Sequence, residues 1–298
     1  MTVTETTTTA IREGIAINDL TPFIGAEVTG ATYADLVDSP LWDDVIRLLH
    51  QRELVVIRSL DIAPHQQIEL ARRIGRPVPF LMAKYRHPDH EEIMISSNAT
   101  KNNMAVGVAR VGNFWHQDSS YQKEAPPYTM LHGIQVPGTS GHTLYASAAD
   151  VYDRLPEEWK EKIEGRVAVH TVAKRQRISA EHAGLSIAEF TALVRERYPS
   201  VEHPLVKTDP TTGRRYLYGA PEYMDHVVGF DANENEAFFA LLDELIRDPA
   251  RVYEHRWTPR DLVVWKCELT YHAATPVEPG VDRTVHRVSI GARNTWEA

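Results

Sequence analysis

With 298 residues, 43% of them hydrophobic and 24% charged, the chain can bury a large core, and its composition excludes general disorder, a collagen-like repeat and, with Cys267 as the one cysteine, an internal disulfide. A formal net charge of −9 repels a phosphate backbone and argues against nucleic acid as a partner. No run approaches the ~18 apolar residues of a membrane span, and the Thr-rich start lacks the apolar core of a signal peptide, so a cytoplasmic protein with no membrane partner is expected.

Residues 1–10 read as a disordered tail without chemistry and 11–298 as a single domain. Ser39 and Pro40 predict a helix start, Ser39 as N-cap and Pro40 in the first turn, with Leu41, Val45, Leu48 and Leu49 on one face. Leu54 to Ile57 reads as a buried strand, Pro64 to Ile74 as a helix stopped by Gly75 and Pro77, and Glu92 to Ser97 as a strand. From Val111 to Ser147 short strand-like runs are punctuated by Pro126 and Pro127, Pro137 and Gly138, and Ser140 and Gly141. Two helical pieces (148–155 and 156–163) and a strand from Arg166 to Val172 follow. Residues 173–204 are polar, partly helical and without a steady period, which reads as a lid. The turn from Thr208 to Gly213 predicts a hairpin between 205–207 and 215–218. Asn233 to Arg247 is an amphipathic helix with Asn233 as N-cap and Phe238, Leu241, Leu242 and Leu245 on one face. Strands return at 252–257, 261–265 and 284–292. This order predicts an α+β chain built on a β-sandwich or barrel.

The most informative segment runs from Asn113 to Asp118 (Asn-Phe-Trp-His-Gln-Asp). On a strand, residues two apart point the same way, so His116 and Asp118 can address one point. An imidazole and a carboxylate are two ligands of the facial triad of a non-haem Fe(II) site, and a third must come from elsewhere. His272 supplies it, following a core strand and opening a loop. A second His-X-Asp, His87-Pro88-Asp89 followed by His90, lies in a charged, Pro-containing run that reads as a solvated turn.

These residues, with Thr143 and with Arg283 and Arg287 beyond His272, resemble the taurine dioxygenase and 2,4-dichlorophenoxyacetate dioxygenase family. Its pattern is His-X-Asp, a Thr or Ser about 25 residues on, a distant His, and an Arg a little over ten residues later. The resemblance runs from about Ile15 to Ala292 and implies a double-stranded β-helix (jelly-roll) core with flanking helices and a helical or loop insertion over the active site, His116 and Asp118 following one strand and His272 another. It implies Fe(II), with 2-oxoglutarate and O2 as co-substrates, succinate and CO2 as co-products, and a homo-dimer or tetramer. It further implies that Thr143 and an arginine bind the far carboxylate of 2-oxoglutarate, a guanidinium fork meeting a carboxylate bidentately. Arg283 has the spacing of that arginine; Arg287, four residues on and so on the same strand face, matches a position that contacts either co-substrate or an acidic substrate. One departure is Trp265-Lys266-Cys267, where relatives commonly carry Trp-Asp-Asn; another is His142 beside Thr143.

The substrate is expected to be small and anionic or amino-acid-like, with Tyr85, Ser119, Tyr121, Arg177 and Arg287 as candidate contacts and Lys174, Arg175 and Arg177 as a basic cluster on the lid. The runs Tyr85 to Ile93 and Lys174 to Ile178 also resemble a subgroup that oxidises N-carboxymethyl amino acids to isonitriles in bacterial secondary metabolism, Arg177 standing where that subgroup has a pocket lysine. Two readings of other classes remain: a non-catalytic β-sandwich binding protein stabilised by a metal, and a zinc hydrolase with two His and one Asp. Neither requires Thr143 and Arg283.

Overall fold

The structure, a computed structural model, describes residues 9–12, 14–80, 82–101, 104–109, 112–175 and 183–292. Its frame is a ten-stranded sheet whose centre runs Leu54–Ile57, Leu262–Lys266, Tyr128–Gln135, Thr284–Gly291 and His90–Ser97, each pair antiparallel. One flank adds Ala26–Thr29, which joins Leu54–Ile57 in parallel, then Ile15–Asp19 and Thr9–Arg12; Arg86–His87 closes the other, and the tenth strand, Arg76–Val78, pairs with the end of Thr284–Gly291. Thr9 and Ala10, expected in the tail, therefore belong to a paired strand.

Side-chain alternation shows why this sheet is covered on both faces. Val55, Ile57, Leu262, Val264, Met130, Val288 and Ile290 join a core cluster with Trp42, Leu49, Ile68 and Leu70, from the helices Leu41–Arg52 and Pro64–Ile74. The intervening Leu54, Val56, Val263, Trp265, Leu131 and Val285 point the other way, to Tyr145 and Trp257. Alternate residues of one strand thus enter two cores, which is why Leu54–Ile57 is apolar at every position.

The second core lies against a smaller antiparallel sheet, Tyr253–His255, Thr143–Ser147 and Thr270–Ala274. Behind it, the helices Ala148–Asp153 and Ala232–Arg247 pack on a third sheet, Val201–Pro204, Val167–His170 and Met224–Val227. The hairpin is present as Val206–Thr208 with Arg215–Leu217.

Several boundaries differ from expectation for local reasons. The last long helix is capped by Asp231, not Asn233: its carboxylate accepts from Glu234 N at 2.9 Å while Glu234 reaches back to Asp231 N, a reciprocal box that satisfies two end donors. Pro40, not Ser39, sits at the cap of Leu41–Arg52, because Ser39 also donates to the Asp35 carbonyl of an unexpected short helix, Tyr33–Val37. The expected lid holds the helix Ile187–Arg197, but 201–204 is a strand of the third sheet and no part of an excursion; residues 176–182 lie outside the described set.

Candidate active site

His116 and His272 are brought together by backbone pairing. Each donates its N–H to the other's carbonyl, at 3.0 and 2.9 Å, across an isolated antiparallel bridge, and their ring centroids stand 4.1 Å apart. Two expectations are corrected here. His272 lies inside the strand Thr270–Ala274 and does not follow it. His116 to Asp118 is not a strand: beyond that one bridge the chain turns, and Ser119 takes a φ of 57°, a conformation few non-glycine residues adopt. The shared direction of His116 and Asp118 comes from this turn and not from a pleat. Gln117 pins the turn from behind, accepting from Gly219 N at 2.6 Å and donating to the carbonyls of Leu217 and Glu268.

Asp118 Oδ1 lies 3.7 Å from Nε2 of both His116 and His272, and the three buried donor atoms fall within 4.8 Å of one another. Ligands ~2.1 Å from one ion at right angles sit ~3 Å apart, so small shifts close this group on a cation. The protonation states suit ligation. His116 Nδ1 lies 2.8 Å from the Phe114 carbonyl, which makes Nδ1 the protonated nitrogen and leaves the Nε2 lone pair facing Asp118. Burial lowers the pKa of His116 and pushes His272 down to about 3, keeping both imidazoles neutral. Burial acts the other way on Asp118, but the Arg287 guanidinium 2.9 Å from Oδ1 and the Thr129 hydroxyl 2.8 Å from Oδ2 outweigh it and hold the carboxyl well below its usual range. Gly112 keeps the approach clear: with φ at 68°, a Cβ there would meet His116 Cε1 at 2.9 Å.

The other end of the same cleft is built by Thr143, Trp257 and Arg283. The Trp257 indole donates to Thr143 Oγ1 at 3.0 Å, and the Arg283 guanidinium lies 5.7 Å from the Trp257 ring centroid. Arg283 Nε donates to the Gly141 carbonyl at 2.8 Å, yet among the described residues no carboxylate is within 4 Å of this cation, and burial pushes its pKa down to about 10. Arg283, Val285 and Arg287 line one wall at period two, as the four-residue spacing predicts, so both arginines face the cleft.

The substrate candidates fare unevenly. Arg287 lines the cleft and Tyr121 lies near it, its ring 5.0 Å from that of Tyr223 and its pKa raised by burial despite nearby Arg287. Ser119 belongs to the turn and Tyr85 to the short helix Ala83–Tyr85; neither lines the cleft. Lys174 reaches the Met224 carbonyl and the Phe239 ring and does not line the cleft, and Arg177 lies outside the described residues. Met94, Ser96 and Leu131 form the walls that sequence reasoning missed. The signal was their register: Met94 and Leu131 pair with Arg287, and Ser96 with Val285. Thr129, on Asp118, was also missed.

A mixed fold of helices and sheets carrying two histidines and a carboxylate beside paired arginines defines a class of enzyme in which iron is held by a facial triad. The chain belongs to the taurine catabolism dioxygenase TauD, TfdA family, whose model matches residues 16–289. Among curated relatives it is 28% identical over 286 residues to an alpha-ketoglutarate-dependent 2,4-dichlorophenoxyacetate dioxygenase of Cupriavidus pinatubonensis, covering 92% of this chain and 97% of that one. It is 26% identical over 275 residues to pentalenolactone F synthase of Streptomyces avermitilis, covering 89% and 90%. A crystal structure of a taurine dioxygenase from Burkholderia xenovorans shares the fold, with a TM-score of 0.74, 23% identity and coverage of 93% and 89%. No helix among the described residues is long and apolar enough to cross a membrane.

Proposed function

We propose that the protein is an Fe(II)- and 2-oxoglutarate-dependent dioxygenase of a small anionic substrate, with His116, Asp118 and His272 as the metal ligands. The two facing sheets are then the halves of a double-stranded β-helix, in a single domain that includes the strand Thr9–Arg12. The observation that carries the reading is Arg283, a largely enclosed guanidinium with no carboxylate partner among the described residues, in the same cleft as the triad. An uncompensated buried cation is costly unless a ligand brings the counter-charge, and a metal kept for structure alone needs none.

The residues fit the co-substrate. Thr143 and Arg283 receive the far carboxylate, the Trp257 indole orienting the Thr143 hydroxyl by taking one of its lone pairs. Arg287 stands at the metal end and offers charge to the keto-acid or to an acidic primary substrate. With the metal bound, O2 would be the oxidant, two of its four oxidising equivalents consumed in converting 2-oxoglutarate to succinate and CO2 and two in oxidising the primary substrate. The protein's part is positioning: neutral imidazoles present lone pairs, Asp118 brings charge, and the apolar side chains Met94, Leu131 and Val285 limit water. An acid as substrate agrees with the name of the phenoxyacetate-oxidising relative, and Arg287 is the cation placed to meet it.

The test is succinate release from 2-oxoglutarate by anaerobically Fe(II)-loaded protein exposed to air, across a panel of small carboxylic and amino acids. Stimulation by an acidic panel member is expected. No turnover, together with no metal-to-ligand absorption band on adding 2-oxoglutarate anaerobically, overturns the reading.

A further inference from the structure

Asp118 is held on both of its oxygens, and the two are held differently. Oδ1 faces the two imidazoles and Arg287, whereas Oδ2 is turned away to Thr129, whose hydroxyl donates to it at 2.8 Å. Thr129 is fully buried in the strand Tyr128–Gln135, and behind it lies the fully buried Cys267 thiol, 3.3 Å from Thr129 Oγ1 and 3.9 Å from Asp118 Oδ2. Arg287 Nη2 also reaches Thr129 Oγ1, at 3.4 Å, while holding Oδ1.

We propose that Thr129, backed by Cys267, is a positioning residue that occupies Asp118 Oδ2 so that the carboxylate offers the metal Oδ1 alone. A hydroxyl has one proton to give, and here the acceptors in reach are a charged carboxylate oxygen and a weakly accepting thiol, so the proton goes to Asp118. A carboxylate with both oxygens free can rotate and chelate an ion through two of them, using a coordination position that co-substrate and O2 need. Fixing Oδ2 from a core strand removes that option and fixes the torsion of a side chain that otherwise rests on a turn. Thr129 acts through Asp118 and touches no reacting atom. Outer partners of metal ligands typically alter metal affinity by ~10- to 100-fold when removed, which sets the expected size of the effect.

This inference rests on the triad being the metal site, and the test separates the two. Mn(II) binding to the metal-free full chain, followed by the EPR signal of the free ion, gives a dissociation constant for wild type, Thr129→Ser and Thr129→Ala. Ser and Ala differ by the hydroxyl alone, so both share whatever packing is lost with the methyl. Thr129→Ser is expected within about threefold of wild type and Thr129→Ala roughly tenfold or more weaker. The Fe(II)–2-oxoglutarate absorption band, recorded anaerobically, should also shift in Ala and not in Ser. If Ala binds Mn(II) as tightly as Ser and leaves the band in place, the positioning role is overturned while the metal site stands. If wild type binds no Mn(II), both fall.

Discussion

The chain carries two His-X-Asp motifs followed closely by the central sheet, and only one has the makings of a site. At His116 and Asp118 the middle residue is Gln117, which ties the turn to two neighbouring segments, and the turn meets His272 from a distant strand. At His87 and Asp89 the middle residue is Pro88, and the Asp89 amide donates to His87 Nδ1 at 3.2 Å, while the Asp89 side chain stays exposed. His87 and His90 pair as the last rungs of the sheet edge, and His87 packs 5.4 Å from the His286 ring, so this run is less solvated than expected although its carboxylate is in water. The difference teaches that spacing alone does not make a metal site. A buried carboxylate, a third donor from another strand and a cation to hold the acid ionised are what separate the two copies.

The largest expected effect comes from removing the first copy. His116→Ala or Asp118→Ala should reduce Fe(II)-dependent succinate formation to background, since two remaining donors cannot hold the ion in the open cleft. Retained turnover in either variant would mean that the metal lies elsewhere. Next comes the co-substrate end. Arg283→Ala removes a charge-assisted contact of about 1.5–3 kcal/mol, which corresponds to a roughly 10- to 150-fold rise in the KM for 2-oxoglutarate. Thr143→Val should raise it by less. If Arg287→Ala raised that KM more than Arg283→Ala does, the two arginines would exchange roles.

How much of this was legible in the sequence differs between the motif and its surroundings. That His116, Asp118 and His272 cluster, and that Thr143, Arg283 and Arg287 line the same cleft, agrees with what the family resemblance implied; no one of these residues carries that signal alone, as the second His-X-Asp shows. The strand Leu54–Ile57 and the helix Pro64–Ile74 were readable for a local reason, a short apolar run and a Pro-to-Gly frame. The bridge between His116 and His272 was not, because it depends on a turn with positive φ at Ser119, a residue that carries no signal for it. Nor were Met94, Ser96 and Leu131: they look like ordinary strand residues, and only the register across three strands brings them to the cleft. Ser119 was expected at the substrate because it follows the motif directly, and closeness in sequence fails at a turn, which is why Ser119 misses the cleft.

A third experiment blurs the contrast between the copies, because acid should strain both. Burial pushes His272 and His170 down to about 3 and His286, beside the second copy, down to about 4. In the unfolded chain each titrates near 6.5, so below that pH the unfolded state takes up protons that the folded state refuses, and stability falls with pH until the folded values are reached. Each contributes a slope of up to roughly 1.4 kcal/mol per pH unit across that window. Denaturant midpoints of the metal-free protein should therefore fall steadily from pH 6.5 to pH 4.5. A flat profile over that range would mean that these imidazoles are charged in the folded state, and neutral ligands at His272 would then be in doubt.

The smallest expected effect sharpens the comparison most. His87→Ala removes a half-exposed ring whose ring contacts among the described residues are to His90 and His286 and whose Nδ1 accepts from the Asp89 amide of the turn. Its loss should cost less than about 1 kcal/mol of stability, as surface substitutions generally do, and leave succinate formation within about twofold of wild type. The edge strand Arg86–His87 joins the sheet beside His90–Ser97, whose Met94 and Ser96 line the cleft, and His87 also packs on His286, between the lining Val285 and Arg287, so a structural disturbance reaches the site as a shift of these walls. Such a shift would appear as a raised KM for the primary substrate with Mn(II) affinity unchanged. A loss of metal affinity in His87→Ala, with His116→Ala still binding, would instead exchange the two copies and place the iron at the sheet edge.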